Sequence, residues 1–193
     1  MKTLITPNLT RKLLHCLLPV LCGLVVFASP GYARPENGAA PAYTSKVVTV
    51  IWGIISYTRW PGERESLRIC LPSGHARAAA IRESAKVIDL GQKIVVRSMP
   101  PDAASACDVV YFPTMADDET SRLLKNLIGA PVLTIGEGGA FCTMGGMFCL
   151  LSGDDAKDGG VKFAANLDAT SRSSLRISPQ VLKLSKRRRE RQP

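Results

Sequence analysis

The chain has 193 residues, 46% hydrophobic and 21% charged, with a formal net charge of +9. This suits one globular domain with tails. The excess charge lies largely at the ends, in Lys2, Arg11 and Lys12 and in the run Lys186-Arg187-Arg188-Arg189-Glu190-Arg191, so it does not argue for a nucleic-acid-binding domain.

Residues 1–33 have the layout of a secretory signal. A positive start precedes an apolar stretch at 13–27, and Gly31-Tyr32-Ala33 supplies small residues for cleavage after Ala33. The apolar stretch is shorter than the roughly 20 residues that span a bilayer and is interrupted by Pro19. Pro19-Val20-Leu21 lacks the small residue that a lipid-modified Cys22 would need before it. Export removes Cys16 and Cys22 and leaves Cys70, Cys107, Cys142 and Cys149 in an oxidising compartment. An even number there implies two disulfides. Four cysteines allow three pairings. Cys142 with Cys149 is the local one, because Gly145-Gly146 lets the chain turn between them, and Cys70 with Cys107 then follows. Loop entropy gives the long loop about 4 kcal/mol and the short one about 2.5 kcal/mol. Zinc would want histidine partners, and His75 is the only histidine of the exported chain. No C-x-x-C suggests a redox centre.

Residues 34–44, rich in Pro, Gly and Ala, are expected to be a flexible leader. Ser45 is a candidate helix cap. Val47, Val50, Ile51, Ile54 and Ile55 follow helical spacing, although their β-branched content also fits a strand. Tyr57-Thr58-Arg59-Trp60-Pro61 closes this element, since Pro61 disfavours helix at Trp60. Tyr57 and Trp60 fit core packing or a small-ligand pocket, with Arg59 placed to stack on one of them. Strands are expected at 67–71, 93–99, 108–113 and 131–135, and helices at 75–86 and 117–127. A turn or short helix leads to Cys107. Asp117, Asp118 and Glu119 suit a helix start.

Gly136-Glu137-Gly138-Gly139 resembles a phosphate loop only faintly, lacking the Lys-Ser or Lys-Thr ending and a clear helix after it, so it is taken as a turn. A stapled hairpin follows, with strands near 148–152 and 161–165. Asp154, Asp155 and Asp158 in its turn lack the spacing and final Glu of a calcium loop. Asn166 to Ser173 reads as a helix start, and Ser178-Pro179 as the cap of a last helix carrying Val181, Leu182 and Leu184. The tail 185–193 is expected to be disordered and suited to weak contact with anionic lipid headgroups. Strands alternating with helices indicate a single α/β domain at 45–184, its largely parallel or mixed sheet flanked by helices. No catalytic group, metal or cofactor is expected. A Ser-His-Asp triad would have to use His75 with Ser73, and nothing else supports one.

Two blocks carry a resemblance. One is Gly53-Ile54-Ile55-Ser56-Tyr57-Thr58-Arg59-Trp60-Pro61. The other joins Ala140-Phe141-Cys142, Phe148-Cys149-Leu150, Phe163-Ala164-Ala165-Asn166-Leu167-Asp168-Ala169-Thr170-Ser171-Arg172-Ser173 and Ile177-Ser178-Pro179-Gln180-Val181-Leu182. Together they resemble the YfiR family. The resemblance implies a non-enzymatic periplasmic repressor that binds the sensing domain of a YfiN-like membrane diguanylate cyclase. Such a protein keeps cyclic-di-GMP and biofilm low and releases the cyclase under redox or envelope stress. It also implies a homodimer, and its four cysteines match the pairing above. The second block is the expected contact surface, with Phe163, Leu167 and Ile177 offering apolar contact and Asp168 and Arg172 offering either polar contact or ties to the local backbone. The alternative reading is a periplasmic small-ligand-binding protein without catalytic activity, its pocket at Tyr57, Arg59 and Trp60. No nucleic-acid partner is expected.

Overall fold

The computed structural model describes residues 39–151 and 161–185, within one unit, Glu36–Pro193. The expected signal with its cleavage point, the aspartate-rich turn and the tail beyond Ser185 lie outside the described residues.

Parity along each strand builds the fold. In β2 (Ser66–Leu71), Leu67, Ile69 and Leu71 enter one core and Cys70 enters the other. In β4 (Val109–Phe112), Val109 and Tyr111 are set against Val110 and Phe112 in the same way. A strand buried on both faces needs apolar side chains at every position, which is why β4 reads as an unbroken run. The sheet also contains β3 (Lys93–Ser98), β5 (Leu133–Glu137), β6 (Phe148–Leu151) and β7 (Lys162–Ala165). Their order is β3-β2-β4-β5-β6-β7, parallel except for the antiparallel β6–β7 pair. The expected mixed α/β sheet is therefore present.

On one face lie α1 (Ala39–Ser56) and α2 (Ala76–Ser84), with Ala169 of α6 (Leu167–Arg172) in the same core. The other face carries α3 (Ala103–Ala106), α4 (Asp117–Lys125) and α5 (Ala140–Thr143). Both expected disulfides, Cys70–Cys107 and Cys142–Cys149, are formed, with Cα separations of 5.8 and 5.7 Å.

Helix α1 overrides the β propensity of its Val, Ile and Thr residues. Val47, Val48, Ile51, Trp52, Ile54 and Ile55 are all buried, at about 1.5–3 kcal/mol for each large side chain. Trp52 Nε1 donates to Ser84 Oγ at 2.8 Å and ties α1 to α2. The helix starts at Ala39, inside the expected leader. Ala39 and Ala40 favour helix, and Pro41 falls in the first turn, where its missing N–H is tolerated.

Two further differences concern short elements. A helix, α5, does follow Gly136-Glu137-Gly138-Gly139, and the staple joins this helical turn to β6. Four residues are too few for a periodic signal. The last expected helix is a 3-10 stretch, Pro179–Ser185, so Ser185 belongs to it and not to the tail. Its Val181 N–H donates to Ser178 O, the i→i+3 pattern of a short tight helix.

Candidate functional site

The two motif blocks meet in a two-stranded ladder between β1 (Thr58–Arg59) and β8 (Arg176–Ile177). Thr58 faces Ile177 and Arg59 faces Arg176. The Ser178 N–H extends the pairing by donating to Tyr57 O at 2.9 Å. Thr58 is buried, and its hydroxyl is satisfied by donating to Ile54 O at 2.9 Å. Gly53 makes the approach of the second block possible, since a Cβ there would lie 2.7 Å from Leu184 Cδ1. Strands of two residues leave no periodic trace in sequence, and this ladder was not anticipated.

Arg59 does not stack on Tyr57 or Trp60. Its Nη1 donates at 2.8 Å to Ser56 O, a carbonyl ending α1 that lacks a helical partner and attracts a cation, and at 2.9 Å to Thr58 O in β1. The cation–π contact among the described residues is Arg77 over Tyr43, at 5.2 Å. An open cleft of about 460 Å³ lies between Tyr57, Arg59, Arg176, Ile177, Ser178 and Gln180. Two exposed arginines stand directly opposite each other at its rim. Like charges so placed repel. Among the described residues, neither has an ion-pair partner.

Trp60 serves both packing and pocket. It is half-buried against the core and donates Nε1 to Asp108 O at 3.0 Å. It also borders a second cavity, of about 610 Å³, with Arg59, Arg64 and the loop 89–92. Beneath lies Asp108, 1% exposed. Its carboxylate accepts from Arg64 Nη1 at 2.8 Å, from Arg68 Nε and Nη2 at 2.9 Å, and from the Arg68 N–H at 2.8 Å. Burial alone would raise its pKa. The hydrogen bonds from Arg68 and the charges of Arg64 and Arg68 outweigh it and hold the carboxyl below the usual Asp range. The hydrogen bond to Asp108 in turn raises the Arg68 guanidinium.

The candidate contact residues divide by exposure. Leu167 is 78% exposed at the start of α6. Asp168 and Arg172 pair across one turn at 2.6 Å, both exposed. Phe163 and Ile177 are half-buried against the core, Phe163 with its ring 5.8 Å from that of Phe148. Asn166 joins this patch to the staple. Its Oδ1 accepts from the Ala169 N–H at 3.0 Å and caps α6, while its Nδ2 donates to Cys142 O at 2.9 Å.

Another cluster was invisible in sequence because its members come from separate elements. At the carboxyl ends of β4 and β5, the buried Tyr111 hydroxyl donates to Glu137, and Arg77 from the first turn of α2 pairs with the same carboxylate. Burial first, and then the bond to Glu137, push the Tyr111 hydroxyl pKa up. Burial alone would lower Arg77, but the bond to Glu137 raises it. The cluster is satisfied internally. Nearby, His75 heads α2 without a side-chain cap bond, and among the described residues no hydrogen bond joins it to Ser73.

The family model described as YfiR/HmsC-like matches residues 45–186. One similar solved structure is a conserved domain protein from Vibrio cholerae O1 biovar El Tor str. N16961. It is 16% identical with a TM-score of 0.49, over 74% of this chain and 58% of that one. Another is the L-threonine-O-3-phosphate decarboxylase from Porphyromonas gingivalis, 10% identical with a TM-score of 0.37, over 78% of this chain and 50% of that one. The chain thus spans between half and three-fifths of the length of either. Among the described residues, no helix is long and apolar enough to cross a membrane.

Proposed function

Because the chain belongs to the YfiR/HmsC-like family, which is regulatory and non-catalytic, we propose that it is a periplasmic repressor of an inner-membrane diguanylate cyclase. In this reading residues 1–33 direct export and are removed. The remaining chain binds the periplasmic sensing domain of the cyclase and holds cyclic-di-GMP and biofilm formation low. A homodimer is the proposed resting form.

The observation that carries this reading is the convergence of both motif blocks. The ladder Thr58–Arg59 with Arg176–Ile177 joins them, and the Asn166 side chain ties the staple to α6. Exposed Leu167 and the Asp168–Arg172 pair then form a contact surface without a catalytic group. Release under redox stress is part of the same proposal, and the exposure of the cysteines supports it. Cys142 is a part-exposed residue, whereas Cys70, Cys107 and Cys149 are buried, so the staple is the disulfide more open to a reductant. The test is co-purification with the periplasmic domain of a membrane-bound diguanylate cyclase. Wild type should be retained, and Leu167→Glu should weaken retention at least roughly tenfold, as expected of an apolar anchor. Equal retention of both would remove α6 from the surface, and no retention of oxidised wild type would overturn the reading.

A second reading, in which a small anionic ligand modulates the protein, is favoured by the opposed Arg59 and Arg176. An anion between them would relieve their repulsion. Organic phosphates or carboxylates should then raise the melting temperature of wild type but not of Arg59→Gln/Arg176→Gln. An equal shift in both proteins would dismiss it.

A further inference from the structure

Strand β3 forms one edge of the six-stranded sheet and pairs with β2 over six residues, from Ser66–Lys93 to Leu71–Ser98. Just beyond it, the Met99 N–H donates to Leu71 O at 3.1 Å. Peptide groups alternate along a strand, so the N–H and C=O of Lys93, Val95 and Arg97 point toward β2. Those of Ile94, Val96 and Ser98 point outward, away from the sheet. Among the described residues, no strand pairs with this outer row. The strand contains no proline or glycine, and its register with β2 is continuous, so it lacks the bulge or Pro that blunts many natural edges.

The side chains alternate too. Ile94 and Val96 pack against the α1–α2 core. Lys93, Val95 and Arg97 share the opposite face, with Val95 half-buried between two exposed cations. Among the described residues, Lys93 and Arg97 have no ion-pair partner.

We propose that the outer edge of β3 is a docking site for an extended acidic segment of a partner protein, added as a further strand. The outward peptide groups of Ile94, Val96 and Ser98 supply the ladder, and the cation–apolar–cation row selects carboxylates flanking an apolar residue. Charge disfavours a second copy paired in the register centred on Val95. A symmetric antiparallel pairing of two β3 strands centred on Val95 places Lys93 opposite Arg97 of the other copy, and like charges directly opposite are destabilising. The same two charges guard the edge against self-association while attracting an acidic strand.

The surface is separate from the α6 patch, and its test needs no cyclase. The probe is a short synthetic peptide in which threonine alternates with glutamate, valine and glutamate, added to the oxidised protein. Amide hydrogen exchange is followed by NMR. The expected result is roughly tenfold slower exchange at Ile94, Val96 and Ser98, as outward amides gain partners. The effect should weaken with added salt and disappear in Lys93→Glu/Arg97→Glu, whose substituted side chains are exposed and leave the inner ladder intact. Three outcomes overturn the proposal. One is unchanged exchange at those amides with the peptide present. Another is equal protection by a version carrying lysine for glutamate. The last is protection that grows with protein concentration alone, which would assign the edge to a second copy.

Discussion

Asp108 sets the acid limit of the fold. Its carboxylate accepts four hydrogen bonds that join Arg64, in the loop after Trp60, and Arg68 of β2 to the start of β4. Its folded pKa lies below the ordinary value of about 3.9. Its contribution is therefore present above that ordinary value and is lost as pH falls through the lower, folded one. Asp108→Asn should cost about 3 kcal/mol near neutral pH, the low end for breaking a buried pair because both arginines are part-exposed. It should also flatten the acid limb of stability, measured by urea unfolding from pH 7 down to pH 2. A variant with an unchanged acid limb would remove this carboxylate from the account. The sequence showed Asp108 only as the first residue of a strand. Its partners lie 40 and 44 positions upstream, and no local pattern announces a pair at that distance.

The stapled turn is closely packed around Phe141. Phe141 fills the space left by two glycines, so a Cβ at Gly136 or Gly146 would collide with its ring. Gly146→Ala should cost about 1–3 kcal/mol through overpacking and should shift the Phe112–Phe141 contact. Near-ultraviolet circular dichroism with thermal melting would register both effects, and an unaltered melt would show that the turn yields without strain. The disulfides give a crossed expectation. Cys70→Ser/Cys107→Ser should lower stability by about 4 kcal/mol and Cys142→Ser/Cys149→Ser by about 2.5 kcal/mol, following their loops of 37 and 7 residues. The proposed repression of a cyclase should respond in the opposite order, because the Cys142 carbonyl holds Asn166 and hence α6. If the Cys142–Cys149 variant lowers stability but leaves repression intact, the staple serves stability alone.

At the scale of the molecule, strand order explains why the site lies where it does. The parallel order β3-β2-β4-β5-β6 reverses direction between β2 and β4, so α2 falls on one face and α3, α4 and α5 on the other. Strand β7 returns antiparallel, and the chain then crosses to the α1 face, where β8 meets β1 and Leu184 meets Gly53. The first and second motif blocks, whose nearest ends Pro61 and Ala140 are 79 positions apart in the sequence, become one surface by this return. Arg59→Glu should therefore disturb both blocks. It should weaken partner retention even though Arg59 precedes the α6 patch by a hundred positions, as a pull-down against the same cyclase domain would show. Full retention would confine the contact to α6.

The sequence alone determined the alternation of strands and helices, the family blocks and the pairing of the cysteines. Each rests on information local in the chain: apolar periodicity in 47–55, continuous burial in 109–112, and two glycines between Cys142 and Cys149. Tertiary structure decided the rest. The two-residue strands β1 and β8 are too short for any periodicity and exist only because the return of the chain brings them together. Arg59 turned to the end of α1, where the Ser56 carbonyl has no helical partner and accepts its hydrogen bond. The same holds for Arg77, Tyr111 and Glu137, which no sequence spacing relates and which a shared sheet end unites. Periodicity reports which face of an element is buried. Which faces then meet is a property of the closed chain.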